Sequence, residues 1–278
     1  MPELPEVEVV RRGIEAHVVG HTVGSVEVID DRSLKRHHAG ARDFCARLSG
    51  VTFAQACRRG KYLWLPFADD AVVVHLGMSG QCLIADAGSA RQRHTKIVMA
   101  LENGTELRFV DQRIFGGMAI DPLIDEVPSS VAHIARDPFD DEFDAKATAR
   151  RIRTKRSGVK RVLLDQRTIS GVGNIYADEA LWRSKLHYDT AAGSLTQAKA
   201  EGLVHNVTEV MTEALAAGGT SFDTLYVNVN GASGYFSRDL AAYGCEGEPC
   251  ARCSTLIVRE PFMNRSSYRC PRCQRRPR

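Results

Sequence analysis

Four of the eight cysteines in this chain of 278 residues form two Cys-x2-Cys pairs near its C-terminal end. Cys250 pairs with Cys253 and Cys270 with Cys273, and sixteen residues separate the two pairs. Four thiolates at this spacing suit the tetrahedral coordination of Zn2+ and leave no open position on the metal. The sequence therefore predicts one structural zinc ion that holds a short β-hairpin with too little core to fold alone. A redox role for one pair is the alternative, and the second pair at this spacing disfavours it.

The N-terminal end reads Met-Pro-Glu-Leu-Pro-Glu and continues with apolar residues at helical spacing and a glycine stop. This pattern predicts one amphipathic helix whose positive end carries Glu3 and Glu6. Removal of Met1 would leave Pro2 with a secondary amine that is partly neutral at cellular pH, because α-amino groups titrate near ~7.7–8.0. A neutral amine can form a Schiff base, and the Glu3 carboxylate beside it could move protons. The alternative is that Pro2 and Pro5 only start the helix.

Short strand patterns occupy residues 23–120. Strands at 61–65 and 71–75 flank an Asp-Asp turn, and strands at 97–101 and 106–110 flank Asn-Gly, a strong hairpin signal. Several short strands at regular spacing predict a β-sandwich or flattened barrel.

Beyond an acidic segment at 137–142 the pattern becomes helical. Helices are expected at 144–156, 158–167, 175–186 and about 195–217, followed by a loop rich in Gly, Ser and Asn. The fold class is therefore α+β, with a two-layer β-sandwich and a flanking helix in the N-terminal half. The expected division is a catalytic sandwich domain at 1–133, a linker at 134–143, a helical domain at 144–240 and the zinc ribbon at 241–278.

The net charge is only +3, but the basic residues are clustered. Residues 241–278 hold eight arginines and three acids, and a second basic block spans residues 150–156. Local basic faces on a nearly neutral protein suit a polyanion that touches one side. No apolar run approaches membrane-spanning length and no secretory signal is apparent, which predicts a cytoplasmic protein with no membrane partner.

Three loops carry candidate binding residues. The Gly-rich turn at 170–173 opens a helix, where Asn174 suits an N-cap and backbone amides suit a phosphate. Arg265 lies between the two cysteine pairs, on a loop suited to phosphate contacts. Met78 and Phe115 each follow a strand; they are either core residues or, beside Arg113, wedges into a base stack.

These residues together closely resemble the formamidopyrimidine-DNA glycosylase family over essentially the whole chain. The motifs that carry the resemblance are Met-Pro-Glu-Leu-Pro-Glu at 1–6, Arg-Arg-Gly-Lys-Tyr-Leu at 58–63, His-Leu-Gly-Met-Ser-Gly at 75–80, Gly-Val-Gly-Asn-Ile-Tyr-Ala at 171–177, Gly-Tyr-Phe at 234–236 and the four-cysteine ribbon. The resemblance implies a helix-two-turn-helix DNA-binding domain and a monomeric DNA-repair enzyme of the bacterial cytoplasm, acting at the nucleoid. The implied enzyme removes oxidised purines and then cleaves the strand by β,δ-elimination.

The resemblance also implies roles for individual residues. Catalytic roles fall to Pro2 as nucleophile, Glu3 as acid and base, Lys61 in base release and strand binding, and Arg265 as a phosphate clamp. DNA contacts fall to Met78, His94, Arg113, Phe115, Lys160 and Asn174. Within this set, Met78, Arg113 and Phe115 resemble the trio that fills the hole left by the everted base. The stretch 218–235 resembles a loop that closes over the lesion. The implied partner is duplex DNA with oxidised bases or abasic sites, with no obligate protein partner.

Two departures and two alternatives qualify the resemblance. Ile114 stands where many relatives carry a basic residue, and Cys245 stands where arginine is common, so affinity and salt dependence are affected more than the reaction type. One alternative is an endonuclease VIII-like glycosylase for oxidised pyrimidines, which Leu4 and the filler residues disfavour. The other is a non-enzymatic zinc-ribbon DNA-binding protein.

Overall fold

The computed structural model describes residues 2–219 and 240–277, which fold as two compact units. The first unit comprises residues 2–133 and 217–219, and the second comprises residues 134–216 and 240–277. The domain boundaries expected from the sequence remain predictions. Among the described helices, none is both long and apolar enough to cross a membrane.

The first unit begins with helix α1, Leu4–His17, as its apolar spacing predicts. Its inward residues Val7, Val10, Ile14 and Val18 are all buried. A 3-10 helix, Asp31–Leu34, and helix α2, Gly40–Leu48, follow strand β1, Val23–Val28. These helices contribute Leu34, Phe44 and Leu48 to the same apolar core.

Two antiparallel sheets form the sandwich of the first unit. One has the order β1-β6-β7-β5, with β1 Val23–Val28, β5 Gly80–Asp86, β6 Thr95–Leu101 and β7 Thr105–Asp111. The other has the order β2-β3-β4-β8-β9, with β2 Cys57–Arg59, β3 Tyr62–Phe67, β4 Asp70–His75, β8 Gly117–Ile124 and β9 Val127–Pro128. Both predicted hairpins are present, β3 with β4 and β6 with β7.

The core of the first unit lies between the sheets and α1. Alternate residues of the strands point into it, among them Leu63 and Leu65 of β3 and Val72 and Val74 of β4. This alternation is the period of two that a strand gives its side chains, and the neighbouring residues, Trp64, Ala71 and Val73, are buried on the other face of the sheet. The α+β class and the N-terminal β-sandwich are confirmed.

The second unit is helical and ends in a ribbon. Its helices are α3 Ala145–Arg153, α4 Val159–Leu164, α5 Asn174–Arg183 and α6 Gln197–Ala216, with a 3-10 turn at Ala192–Ser194. Asp144 caps α3, its side chain accepting a hydrogen bond from the Ala147 amide. The ribbon strands are β10 Val258–Phe262 and β11 Arg265–Arg269, which pair as an antiparallel hairpin.

Candidate functional site

A reciprocal capping box fixes the start of α1. Glu3 is the N-cap; its carboxylate accepts from the Glu6 amide, while its own amide donates to Glu6 Oε2 at 2.8 Å. Pro2, Glu3 and Glu6 are all buried. Gly219 approaches the same turn, since a Cβ built on it would lie 3.2 Å from Glu6 Oε1. The positive end of the helix therefore lies beside Pro2, where it disfavours a second positive charge.

A buried carboxylate on α1 joins this helix to the hairpin that carries Lys61. Glu8 accepts hydrogen bonds from Arg11 and from Arg58 of β2, whose Nε lies 2.9 Å from Glu8 Oε2. Arg58 also donates to the carbonyl of Gly60, which precedes Lys61 in the two-residue turn between β2 and β3. Burial acts to raise the pKa of Glu8, but the hydrogen bonds and charges of Arg11 and Arg58 prevail and lower it to about 2.

The three predicted filler residues lie on two loops that touch backbone to backbone. Met78 is 40% exposed and Phe115 is 47% exposed, so neither is a core residue. The Arg113 guanidinium lies 5.2 Å from the centre of the Phe115 ring. A Cβ added to Gly77 would clash with the Gly116 amide nitrogen, so glycine is required at this approach.

Two histidines lie beside these loops. His94 is half-buried just before β6, and its carbonyl accepts from the Asp111 amide at 3.0 Å. His75 ends β4 and lines a cavity of about 150 Å3 with Arg36, Tyr62 and Asp121. Burial, together with the charges of Arg36, Lys61 and Lys35, lowers the pKa of His75 to about 4, so it is neutral at pH 7. The sequence places His75 in a motif but predicts no role for it.

In the second unit, Asn174 is hydrogen-bonded to the backbone of the residue that follows Arg265. Gly173 is the N-cap of α5, so Asn174 is its first helical residue and the expectation that Asn174 is the cap was wrong by one position. Its Nδ2 instead donates to the Ser266 carbonyl at 2.9 Å. Arg265, the first residue of β11, is exposed next to Ser266. The contact places the Asn174 amide and the Arg265 guanidinium, both hydrogen-bond donor groups, on adjoining segments.

Lys160 differs from its expected role as a DNA contact. Its side chain is 0% exposed, and its Nζ lies 2.7 Å from Asp178 Oδ1 and 4.8 Å from the centre of the Phe262 ring. It also donates to the Ser266 carbonyl at 3.3 Å. An ammonium enclosed in this way has no surface to offer a phosphate, so we correct the expectation: Lys160 supports the hairpin tip that carries Arg265.

Two adjacent carboxylates of α5 hold the ribbon, a function that the sequence analysis did not find. Asp178 accepts from the Ser267 hydroxyl at 2.8 Å and from the Tyr268 amide at 3.0 Å. Glu179 accepts from the three consecutive amides of residues 241–243 at 2.8–3.0 Å. Burial raises the pKa of both carboxyl groups, and these hydrogen bonds oppose the shift.

The four ribbon cysteines fit a zinc ion. Their sulfur atoms all lie within 4.8 Å of one another, and Cys253 Sγ is 3.4 Å from Cys270 Sγ and 3.5 Å from Cys273 Sγ. Zn–S bonds of about 2.3 Å in a tetrahedron place sulfurs about 3.8 Å apart. The Trp182 indole donates to Cys250 Sγ at 3.4 Å, as the surroundings of a metal-bound thiolate require. The predicted metal ligands Cys250, Cys253, Cys270 and Cys273 therefore lie together.

The remaining predicted segment lies largely outside the described residues. The expected lesion loop covers 218–235, of which the structure describes Gly218 and Gly219, and the Gly-Tyr-Phe motif at 234–236 lies outside the described part.

The fold and site define a DNA-binding protein that combines a β-sandwich, a helix-two-turn-helix unit and a zinc ribbon. Residues 1–118 match the formamidopyrimidine-DNA glycosylase N-terminal domain, 134–225 match the H2TH domain of that glycosylase, and 247–276 match a zinc finger found in FPG and IleRS. The formamidopyrimidine-DNA glycosylase of Nocardia farcinica is 57% identical over 100% of this chain and 99% of its own. The chain therefore belongs to the formamidopyrimidine-DNA glycosylase family.

Solved structures agree with this assignment. One is the complex of a mutant Lactococcus lactis FPG with DNA that contains Fapy-dG; it matches with a TM-score of 0.88 and 30% identity, over 99% of this chain and 100% of that one. Another is MutM in complex with DNA that contains carbocyclic 8-oxo-G, with a TM-score of 0.87, 30% identity and the same coverage of both chains. Membership of this family removes the non-enzymatic alternative.

Proposed function

We propose that Pro2 is the nucleophile and Glu3 the acid and base of a bifunctional DNA glycosylase and AP lyase that removes oxidised purines in base excision repair. The observation that carries the residue assignment is the capping box, which holds the Glu3 carboxylate at the positive end of α1 directly after Pro2. Solved relatives bound to DNA with Fapy-dG or an 8-oxo-G analogue support the substrate class.

The reaction begins after Met1 is removed and the Pro2 nitrogen is exposed. The lone pair of that nitrogen attacks C1′ of the damaged nucleotide, and the bond from C1′ to the base breaks with its electrons leaving on the base. The proton carried by the Pro2 nitrogen passes to the departing base, which restores the nitrogen lone pair. Glu3 gives a proton to the ring oxygen of the sugar, which opens and leaves an iminium between Pro2 and C1′. Because α1 disfavours protonated amine at its positive end, it favours the reactive neutral form of Pro2.

Strand cleavage follows from the iminium, which acts as the electron sink. Loss of a proton from C2′ moves electrons toward the iminium and expels the 3′ phosphate by β-elimination. A second elimination, δ, then expels the 5′ phosphate. No step needs a metal or an organic cofactor. The zinc ion supplies no chemistry and holds the ribbon that presents Arg265.

The other site residues bind and distort the duplex. In the first unit, Lys61 at the β2–β3 turn serves base release and strand binding, while His94 contacts DNA. The exposed side chains of Met78, Arg113 and Phe115 fill the space left by the everted base, which offsets the few kcal/mol that unstacking costs. In the second unit, Asn174 and Arg265 clamp phosphates. Its substrate places the enzyme in the cytoplasm, at the nucleoid.

The proposal is tested by trapping the iminium. A duplex with 8-oxoguanine opposite cytosine is incubated with the full-length protein and borohydride, which reduces the imine to a stable covalent bond. We expect a covalent complex with the wild type that is strongly reduced in P2G and E3Q. The matched control is E102Q, because Glu102 is an exposed carboxylate in the turn between β6 and β7. Full trapping by protein whose terminal amine has been acylated would refute the assignment of Pro2.

The same assay ranks the substrates. Thymine glycol in an otherwise identical duplex reports the oxidised-pyrimidine activity of the remaining alternative. We expect 8-oxoguanine to be excised faster than thymine glycol. Faster excision of thymine glycol would instead favour the endonuclease VIII-like alternative.

A further inference from the structure

We propose that Asp111 is a positioning residue that locks the Met78 loop and the Arg113–Phe115 loop into one rigid wedge, and thereby sets selectivity for the base opposite the lesion. The inference deepens the proposed function and rests on it. It concerns a residue that the sequence reasoning did not single out and that touches no substrate in the proposed reaction.

Asp111 is the last residue of β7 and is 0% exposed. Its Oδ1 accepts from the Ser79 hydroxyl at 2.6 Å and from the Arg113 amide at 3.1 Å. Its Oδ2 accepts from the Gly116 amide at 2.8 Å. A buried carboxylate is costly unless hydrogen-bonded, and here every donor comes from one of the two filler loops. The described hydrogen-bond partners of the Asp111 carboxylate therefore all lie on those two loops.

The backbone of Asp111 extends the same connection. Its amide donates to the His94 carbonyl at 3.0 Å, and it pairs across the sheet with Gly80, the residue that ends the Met78 loop. The segments that carry Met78, His94, Arg113 and Phe115 therefore meet at one residue. These four are all of the DNA-contact residues proposed for the first unit apart from the Lys61 hairpin.

The loop also needs an anchor because its own backbone is strained. Ile114 has φ of 56°, a left-handed conformation that is unfavourable for a β-branched residue. The Lys35 ammonium donates to the carbonyls of Ile114 and Phe115, each at 3.2 Å, and Asp111 holds the amides on either side of them. Without these anchors the loop would relax, and Phe115 and Arg113 would lose their common orientation.

A rigid wedge is what reading the opposite base requires. The Arg113 guanidinium can discriminate cytosine from other bases only if its backbone stays in place while the duplex is bent around it. Met78 and Phe115 are 40% and 47% exposed, so their own packing fixes them less than a core position would, and their placement depends on the backbone that carries them. The Asp111 carboxylate holds that backbone in place and so fixes the positions of Met78, Arg113 and Phe115.

The test compares D111N with a matched control, D121N. Asparagine supplies one acceptor oxygen where Asp111 uses two, so at least one of the three donors faces another donor. Asp121 of β8 makes a similar pair of contacts outside the two filler loops, accepting from the Ser129 hydroxyl and the Ser130 amide, each at 2.7 Å. Each protein is assayed for excision of 8-oxoguanine opposite cytosine and opposite adenine, and for borohydride trapping on a single-stranded abasic oligonucleotide.

We expect D111N to lower excision opposite cytosine at least tenfold and to shrink the cytosine-to-adenine ratio severalfold. Trapping on the single strand, which has no opposite base, should stay within about twofold of the wild type, and D121N should keep the wild-type ratio. S79A removes one donor to Asp111 and should shrink the ratio less than D111N does. If D111N does not fold, the cytosine-to-adenine ratio of S79A tests the proposal in its place.

An unchanged ratio in a folded D111N and in S79A would overturn the proposal, as would an equal loss on every substrate. Failure of the proposed function would look different, because the wild type itself would then show no trapping.

Discussion

Replacing Lys160 with methionine removes the cation from a buried ion pair and leaves the Asp178 carboxylate without it. Lys160 and Asp178 are 0% and 1% exposed, and their charged atoms are 2.7 Å apart. Removing one partner of such a pair costs about 3–5 kcal/mol. Asp178 keeps its bonds from Ser267 and Tyr268, and burial already raises its pKa so that it can take up a proton. We therefore expect a loss near the lower limit, about 3 kcal/mol.

The measurement is differential scanning calorimetry of the full-length protein with zinc present. A loss of about 3 kcal/mol in a unit of this size lowers its melting temperature by roughly 10 °C. K160M should therefore melt well below the wild type. D178N should melt below it as well. K160M/D178N should recover part of the loss, because a neutral pair carries no uncompensated charge and the Asn oxygen still accepts from Tyr268.

The same variant distinguishes the two roles considered for Lys160. A phosphate contact would reduce the slope of log affinity against log salt by about 0.9 and would leave the melting temperature unchanged. That combination in K160M would refute the interior role of Lys160. A lower melting temperature with an unchanged salt slope would confirm that Lys160 acts inside the protein.

Three further outcomes are expected. Arg265→Ala should reduce the salt slope of DNA binding by about 0.9, as measured by fluorescence anisotropy, because one phosphate contact is lost. A strong chelator should release one zinc per chain in a colorimetric assay and weaken DNA binding, because the described core of the ribbon is a small cluster, Cys250, Ile257 and Cys270, in which two of the three residues are metal ligands. Stability should fall as the pH is lowered from about 4.5 toward 2, since the unfolded chain protonates Glu8 first. Glu8 contributes at most about 3 kcal/mol to this fall in the free energy of unfolding. Denaturant titrations of Glu8→Gln should therefore show a smaller fall over the same pH range.

Features set by neighbouring residues could be predicted from the sequence. Helix α1, the Asn103-Gly104 hairpin and the metal-binding spacing depend on periods of 3.6 or 2, turn residues and Cys-x2-Cys motifs, which are local. The structure confirms all three. The exposure of Met78 and Phe115 was left open by their pattern alone, because apolar residues are more often buried.

Features set by distant partners could not be predicted. A lysine that closely follows a basic block looks exposed, and only its approach to Asp178 and to the Ser266 carbonyl, 106 residues further along, shows that Lys160 is interior. The sheet order β1-β6-β7-β5 likewise joins strands that are far apart in the chain. Asp111 and Glu179 have no local signature, because their partners are backbone amides whose direction the sequence does not state.

Asp178 and Glu179 bind two points of the ribbon to one turn of α5, residues 241–243 at its entry and residues 267–268 on its second strand. The chain between these points forms a closed loop before any ion arrives. Because the entropy of closing that loop is already lost, bringing the four thiols together around an ion costs less free energy. Loss and rebinding of zinc at the ribbon should therefore leave the helices of the second unit folded.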